Sequence, residues 1–121
     1  MQTQHRVVVG DSRHLDGVAD DSVDLVVTSP PYPMIEMWDG LFADLDPDIG
    51  DAIAAGDGRS AFDLMHGVLD SVWAEMERVL VDGGIACINV GDATRSLGDR
   101  FRVYPNHSRI VDDLEERGFD P

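Results

Sequence analysis

Lysine is missing from this chain. All nine basic residues are Arg, set against 24 acids of which 19 are Asp, for a net charge of −15 over 121 residues. A balance that negative has the wrong sign for a surface that neutralises phosphates, because Lys and Arg supply that part of nucleic-acid affinity. An Asp excess with Lys eliminated fits a protein of an extreme halophile, where molar salt shortens the Debye length to ~3 Å. An acidic mimic of nucleic acid is the other reading. Cysteine is scarce too: Cys87 stands alone, which excludes an internal disulfide. Its place in the apolar run Ile85–Val90 predicts a buried structural thiol. The four histidines (His5, His14, His66, His107) lack metal-ligand spacing, so no metal site is expected. There is no apolar run of membrane length and no signal-peptide pattern at Gln2, Gln4, His5 and Arg6. The expectation is one cytoplasmic domain with no membrane contact.

What is present centres on Val23 to Tyr32, VDLVVTSPPY. Val23, Leu25, Val26 and Val27 put apolar groups on both faces of a short β-branched run, the pattern of a strand buried on both sides in a parallel sheet. Pro30 and Pro31 donate no ladder hydrogen bonds and fix φ, so the strand ends before them in a stiff, extended loop. Open α/β sheets bind ligands at that carboxyl edge. The loop offers the Ser29 hydroxyl, the Pro30 carbonyl and the Tyr32 ring. A planar base with an exocyclic amino group fits this set. Ser29 Oγ and the Pro30 carbonyl can accept the two amino hydrogens while Tyr32 stacks on the ring, which frees the nitrogen lone pair for attack.

Thr28-Ser29-Pro30-Pro31-Tyr32 closely resembles the catalytic motif of amino-methylating DNA methyltransferases, in the Ser-first form typical of enzymes acting on N4 of cytosine. The resemblance implies that Ser29, Pro30, Pro31 and Tyr32 are catalytic and that a cytosine is flipped out of double-stranded DNA into the loop. It also implies S-adenosylmethionine as cofactor. A first strand, Val7-Val8-Val9, ended by Gly10-Asp11-Ser12, resembles the strand that precedes the catalytic strand in this family. Asp11, with Ser12 beside it, is then expected at the adenine end of the cofactor. Adenine-N6 methylation by the same loop is the alternative. A non-catalytic remnant and methylation of RNA or protein are competing readings.

The remaining pattern predicts a short helix over His14–Val18, a turn at Asp20-Asp21-Ser22, and an irregular region from Tyr32 to about Ser60. In that region Met34, Ile35, Met37 and Trp38 either cover the base or cofactor or pack on the sheet edge. Gly56-Asp57-Gly58 reads as a flexible turn. Ser60–Leu80 is the clearest helix, with Ser60 as cap and Phe62, Met65, Leu69, Val72, Trp73, Met76, Val79 and Leu80 on one stripe. Gly83-Gly84 ends it, and Ile85–Val90 is a third strand buried on both sides, followed by a Gly91-Asp92 loop. A last helix starts at Asn106 or Ser108, faces Ile110, Val111 and Leu114 inward, and stops at Gly118.

Arg95, Arg100, Arg102 and Arg109 form the only net-basic window, with Asp99 its one acid. Arg95, Arg100 and Arg102 are therefore the expected phosphate contacts. The order of parts predicts half of a doubly wound, Rossmann-like α/β sheet of three to four mostly parallel strands, the catalytic N-terminal part (residues 1–121) of a methyltransferase domain. The family's glycine-rich cofactor motif and target-recognition region are not found in it. A C-terminal portion or complementary chain is thus an expected partner, and an unpaired sheet edge invites self-association.

Overall fold

The β-branched run does form a strand, β1 (Val23–Thr28). In the computed structural model, which describes residues 1–121, β1 pairs in parallel with β2 (Leu80–Ile88). The crossover between them holds a 3-10 turn (Glu36–Trp38) and helices α1 (Asp39–Leu45), α2 (Pro47–Ala54) and α3 (Gly58–Val79). Val23 lies opposite Leu80, then Leu25 through Thr28 lie opposite Ile85 through Ile88. The intervening residues 81–84 bulge out, with Gly83 at φ 77, a left-handed value that glycine adopts without Cβ strain. Beyond β2, β3 (Ala93–Leu97) and β4 (Arg100–Tyr104) form a separate antiparallel hairpin, and α4 (Asn106–Glu116) closes the order.

The core lies on one face of the β1–β2 pair. The predicted stripe of α3 buries Phe62, Met65, Leu69, Trp73, Met76 and Val79. Phe42 of α1, Ile49 of α2 and Ile110 of α4 join it. Gly58 opens α3 directly beneath Tyr104, where any Cβ would overlap the phenol hydroxyl.

Several expectations are corrected. The strands are covered on one face only: Leu25, Val27 and Ile85 are exposed, and Cys87 is exposed rather than buried. An apolar run specifies a strand, but whether both faces are covered depends on layers that local sequence does not encode. For the same reason Val111 of α4 is more exposed than its helical position predicts. Val7-Val8-Val9 forms no strand and all three side chains are exposed, because β-branched residues without a neighbouring ladder have nothing to pair with. The sheets hold two strands each, one parallel pair and one antiparallel pair. His14–Val18 is a pair of turns with Gly17 at φ 85. Glu75 of α3 takes the Leu15 N–H at 2.7 Å, and Arg78 holds the Val18 and Leu15 carbonyls.

The region from residue 32 to 60 is helical for much of its length. Asp46 caps α2 by accepting from the Asp48 N–H at 3.0 Å, with Pro47 at the first helical position. Asp57, inside the supposed flexible turn, caps α3 in place of Ser60 by accepting from both the Ser60 N–H and its hydroxyl. Gly83-Gly84 belongs to β2, not to a helix end.

Candidate active site at the carboxyl ends of the parallel strands

Both parallel strands end at the same edge, and a hydrogen bond from Asn89 N–H to the Thr28 carbonyl at 2.9 Å carries their ladder beyond β2. This sets the Ser29–Tyr32 loop beside residues 89–92. Ser29 is exposed, Pro30, Pro31 and Tyr32 are half-buried, and Pro33 and Met34 are buried. The Tyr32 ring abuts Gly91, where an added Cβ would stand 3.4 Å from Tyr32 Cε2.

A tight turn follows. Ile35 N–H donates to the Tyr32 carbonyl at 3.2 Å, Pro33 takes the second position, and Met34 takes the third at φ 68. That is a type II arrangement, in which the third position normally belongs to glycine. A long side chain in the left-handed region is strained by about 1–3 kcal/mol and persists only where its surroundings enforce it. Here Met34 is sunk into the core and its N–H donates to Met65 Sδ at 3.2 Å. Of the four residues considered as a cover, Met34 is therefore core, while Met37 is exposed.

Asn106, the first residue of α4, is wholly buried and joins three segments. Its Nδ2 donates to the Pro33 carbonyl at 2.8 Å and the Gly91 carbonyl at 3.1 Å. With both donors aimed at carbonyls, its Oδ1 faces His66 Nε2 of α3 at 2.9 Å. An amide oxygen only accepts, so His66 carries its proton on Nε2. Burial pushes the His66 pKa down, which keeps the ring neutral, and Nδ1 has no partner. Sequence reasoning read Asn106 only as a helix start. The cap comes instead from Asp92, whose carboxylate accepts from the His107 N–H at 3.1 Å and meets His107 Nδ1 at 2.8 Å. The His107 hydrogen bonds hold the Asp92 carboxyl below its usual range.

Asp11 and Ser12 do not join this cluster. Asp11 is held by Arg13, with Nη2 to Oδ2 at 2.7 Å and Nε to both oxygens, and those bonds lower its pKa to about 2. Its carbonyl accepts from His14, and Ser12 is exposed. Four donations from Arg13 leave that carboxylate little capacity for a ligand unless Arg13 swings away. As arranged, this pair does not make a finished cradle for a nucleoside.

The three hairpin arginines separate into two kinds. Arg95 is bound to Asp39 by two hydrogen bonds and is nearly buried. Arg100 and Arg102 join none of the ion pairs that occupy Arg13, Arg59, Arg78, Arg95, Arg109 and Arg117. No helix is long and apolar enough to cross a membrane.

Known proteins share this arrangement. Residues 23–117 match the DNA methylase family of N6/N4 methyltransferases. The type II methyltransferase M.MjaI of Methanocaldococcus jannaschii is 48% identical, over 97% of this chain and 42% of its own length. M.MthZI of Methanothermobacter thermautotrophicus is 47% identical, over 98% of this chain and 34% of its own. Among solved structures, the DNA modification methylase TTHA0409 of Thermus thermophilus superposes with a TM-score of 0.70 at 33% identity, covering 97% of this chain and 42% of that one. The same protein complexed with S-adenosyl-L-methionine gives 0.65 at 34% identity, over 93% of this chain and 40% of its own. The chain thus spans about two fifths or less of the relatives it matches. An α/β crossover that ends in TSPPY beside a glycine loop, matched over most of its length, makes this chain a member of the DNA methylase family.

Proposed function

We propose that residues 1–121 are the catalytic part of a site-specific DNA methyltransferase that modifies N4 of a flipped cytosine. The observation that carries this reading is the loop itself: an exposed Ser29 hydroxyl, the Pro30 carbonyl and the Tyr32 ring on a rigid edge beside Gly91. Ser29 Oγ and the Pro30 carbonyl accept the amino hydrogens, and Tyr32 stacks on the pyrimidine. S-adenosylmethionine supplies an electrophilic methyl group when bound, and the chain's own residues orient the amine toward it. Positioning of this kind is worth roughly 7–11 kcal/mol of barrier. Neither Cys87 nor any covalent intermediate is needed.

Adenine-N6 methylation by the same loop is the second reading, since the matched family takes in both ring amines. The Ser-first motif favours cytosine. Arg100 and Arg102 are the phosphate contacts, and Arg95 is not one.

The further portion that the relatives carry is the partner this chain needs. Leu25, Val27 and Ile85 leave one sheet face bare, and a groove of about 830 Å3 lies between β2 and α4, lined by Leu80, Ile88, Ile110, Leu114 and Phe119. That portion would cover these surfaces; without it, they favour self-association.

The test supplies that portion, fused or as a second chain, and digests methylated duplex DNA to nucleosides. N4-methylcytosine is expected. N6-methyladenine would transfer the reading to adenine, and no methylated base from a folded, S-adenosylmethionine-binding assembly would overturn it.

A further inference from the structure

We infer that Asn106 is a positioning residue for the Ser29–Tyr32 loop, which it governs through the strained Pro33–Met34 turn. This rests on the methyltransferase reading above. The loop needs outside support: its proline-rich end has few backbone donors, and it runs straight into a left-handed Met34 that isolated chain would avoid. Asn106 supplies that support from 73 residues away in sequence. One Nδ2–H holds the Pro33 carbonyl, which fixes the peptide between Pro33 and Met34. The other holds the Gly91 carbonyl, which fixes the residue that Tyr32 abuts. A single side chain thus sets both the turn leaving the loop and the floor under its aromatic ring.

His66 aligns the bridge in turn. Its Nε2–H on Asn106 Oδ1 prevents the amide from flipping, because a flipped oxygen would face two carbonyls. The orphaned Nδ1 shows that the ring is oriented for Asn106 at the expense of its other nitrogen. Asn106 touches no substrate in this scheme. It acts by holding Tyr32 and the Pro30 carbonyl at one spacing, where a displacement of about 1 Å costs up to ~10²-fold in rate.

The test uses the complete methyltransferase, this chain with the further portion its relatives carry. Asn106→Asp keeps the volume and the acceptor but loses both donations. Asn106→Ala removes the bridge, and His66→Gln keeps an N–H where Nε2 stands. Two measurements are made on each: single-turnover methyl transfer beside the Kd for S-adenosylmethionine, and amide exchange at Ile35, whose N–H closes the turn. For Asn106→Asp we expect transfer about 10–100-fold slower, an unchanged Kd, and lost protection at Ile35 while Leu69 and Trp73 of α3 stay protected. His66→Gln should remain near wild type in both.

Asn106→Asp with wild-type transfer and wild-type Ile35 protection would overturn the assignment. So would uniform loss of protection in α3 and the turn together in both Asn106 variants, which marks a merely structural residue. A wild-type protein that methylates nothing, but in which Ile35 protection still follows Asn106, would sink the methyltransferase reading and leave the bridge intact.

Discussion

Arg95 grips Asp39 through two parallel hydrogen bonds, Nη1 to Oδ1 at 2.8 Å and Nη2 to Oδ2 at 2.7 Å, and so ties the β3–β4 hairpin to the first turn of α1. A guanidinium committed this way is a structural clamp, and its charge is spent within the molecule. Arg102 stands opposite Arg95 in the hairpin register yet forms no ion pair.

Arg95→Ala should therefore lower stability by roughly 1.5–3 kcal/mol, the range for hydrogen bonds to charged groups. It should leave the salt dependence of DNA binding alone. Arg100→Ala and Arg102→Ala should do the reverse, each lowering the slope of log K against log salt by about 0.9. Denaturant melts beside DNA titrations at several KCl concentrations separate the two classes. A normal slope in the double variant would remove the hairpin from the DNA interface.

Ser29→Ala in the complete enzyme should reduce turnover by about 10²-fold, the usual cost of losing a positioned hydrogen bond to the reacting group. S-adenosylmethionine affinity should hold steady. Turnover equal to wild type would remove Ser29 from the chemistry.

Acid should loosen the N-terminal segment first. Glu75 drops from its ordinary 4.5 to about 2, chiefly through Arg78 and then through the Leu15 N–H. A depressed carboxylate contributes stability that is present above its unfolded pKa and is lost as pH falls through the folded one. The loss should then run from about pH 4.5 to about 2. Glu75→Gln should flatten that limb of a stability–pH curve, and an unaltered limb would place the linkage elsewhere.

Salt should stabilise the fold. At a net charge of −15, self-repulsion is long-ranged at ~0.1 M and confined to ~3 Å at 1 M. A melting temperature that rises with KCl into the molar range supports the halophile reading. One that is flat or falling would favour the acidic mimic.

Cys87 reports on the bare sheet face. It is exposed beside Val27, so a thiol reagent should label it at the rate of a free cysteine in the 121-residue chain. Adding the further portion should slow labelling sharply as that face is covered. Equal rates in both states would show that the portion docks elsewhere.

Sequence alone determined the features that arise from short-range constraint. Val23–Thr28 had to end at Pro30 and Pro31, because neither ring can donate to a ladder. Phe62 through Val79 had to be a helix with one buried stripe, because their spacing admits no other face. Even the missed α2 was legible, since Asp46-Pro47 is a cap followed by a first-turn proline. Tertiary structure decided everything that needs a distant partner. Nothing local in Asn106 says that its amide will reach Pro33 and Gly91, or in Arg95 that Asp39 waits 56 residues away. Nor does an apolar strand reveal that Cys87 faces outward, or three valines that no strand lies beside them. Dihedral limits and periodicity act over a few residues, whereas ladders, buried bridges and covered faces exist only once separate segments have met.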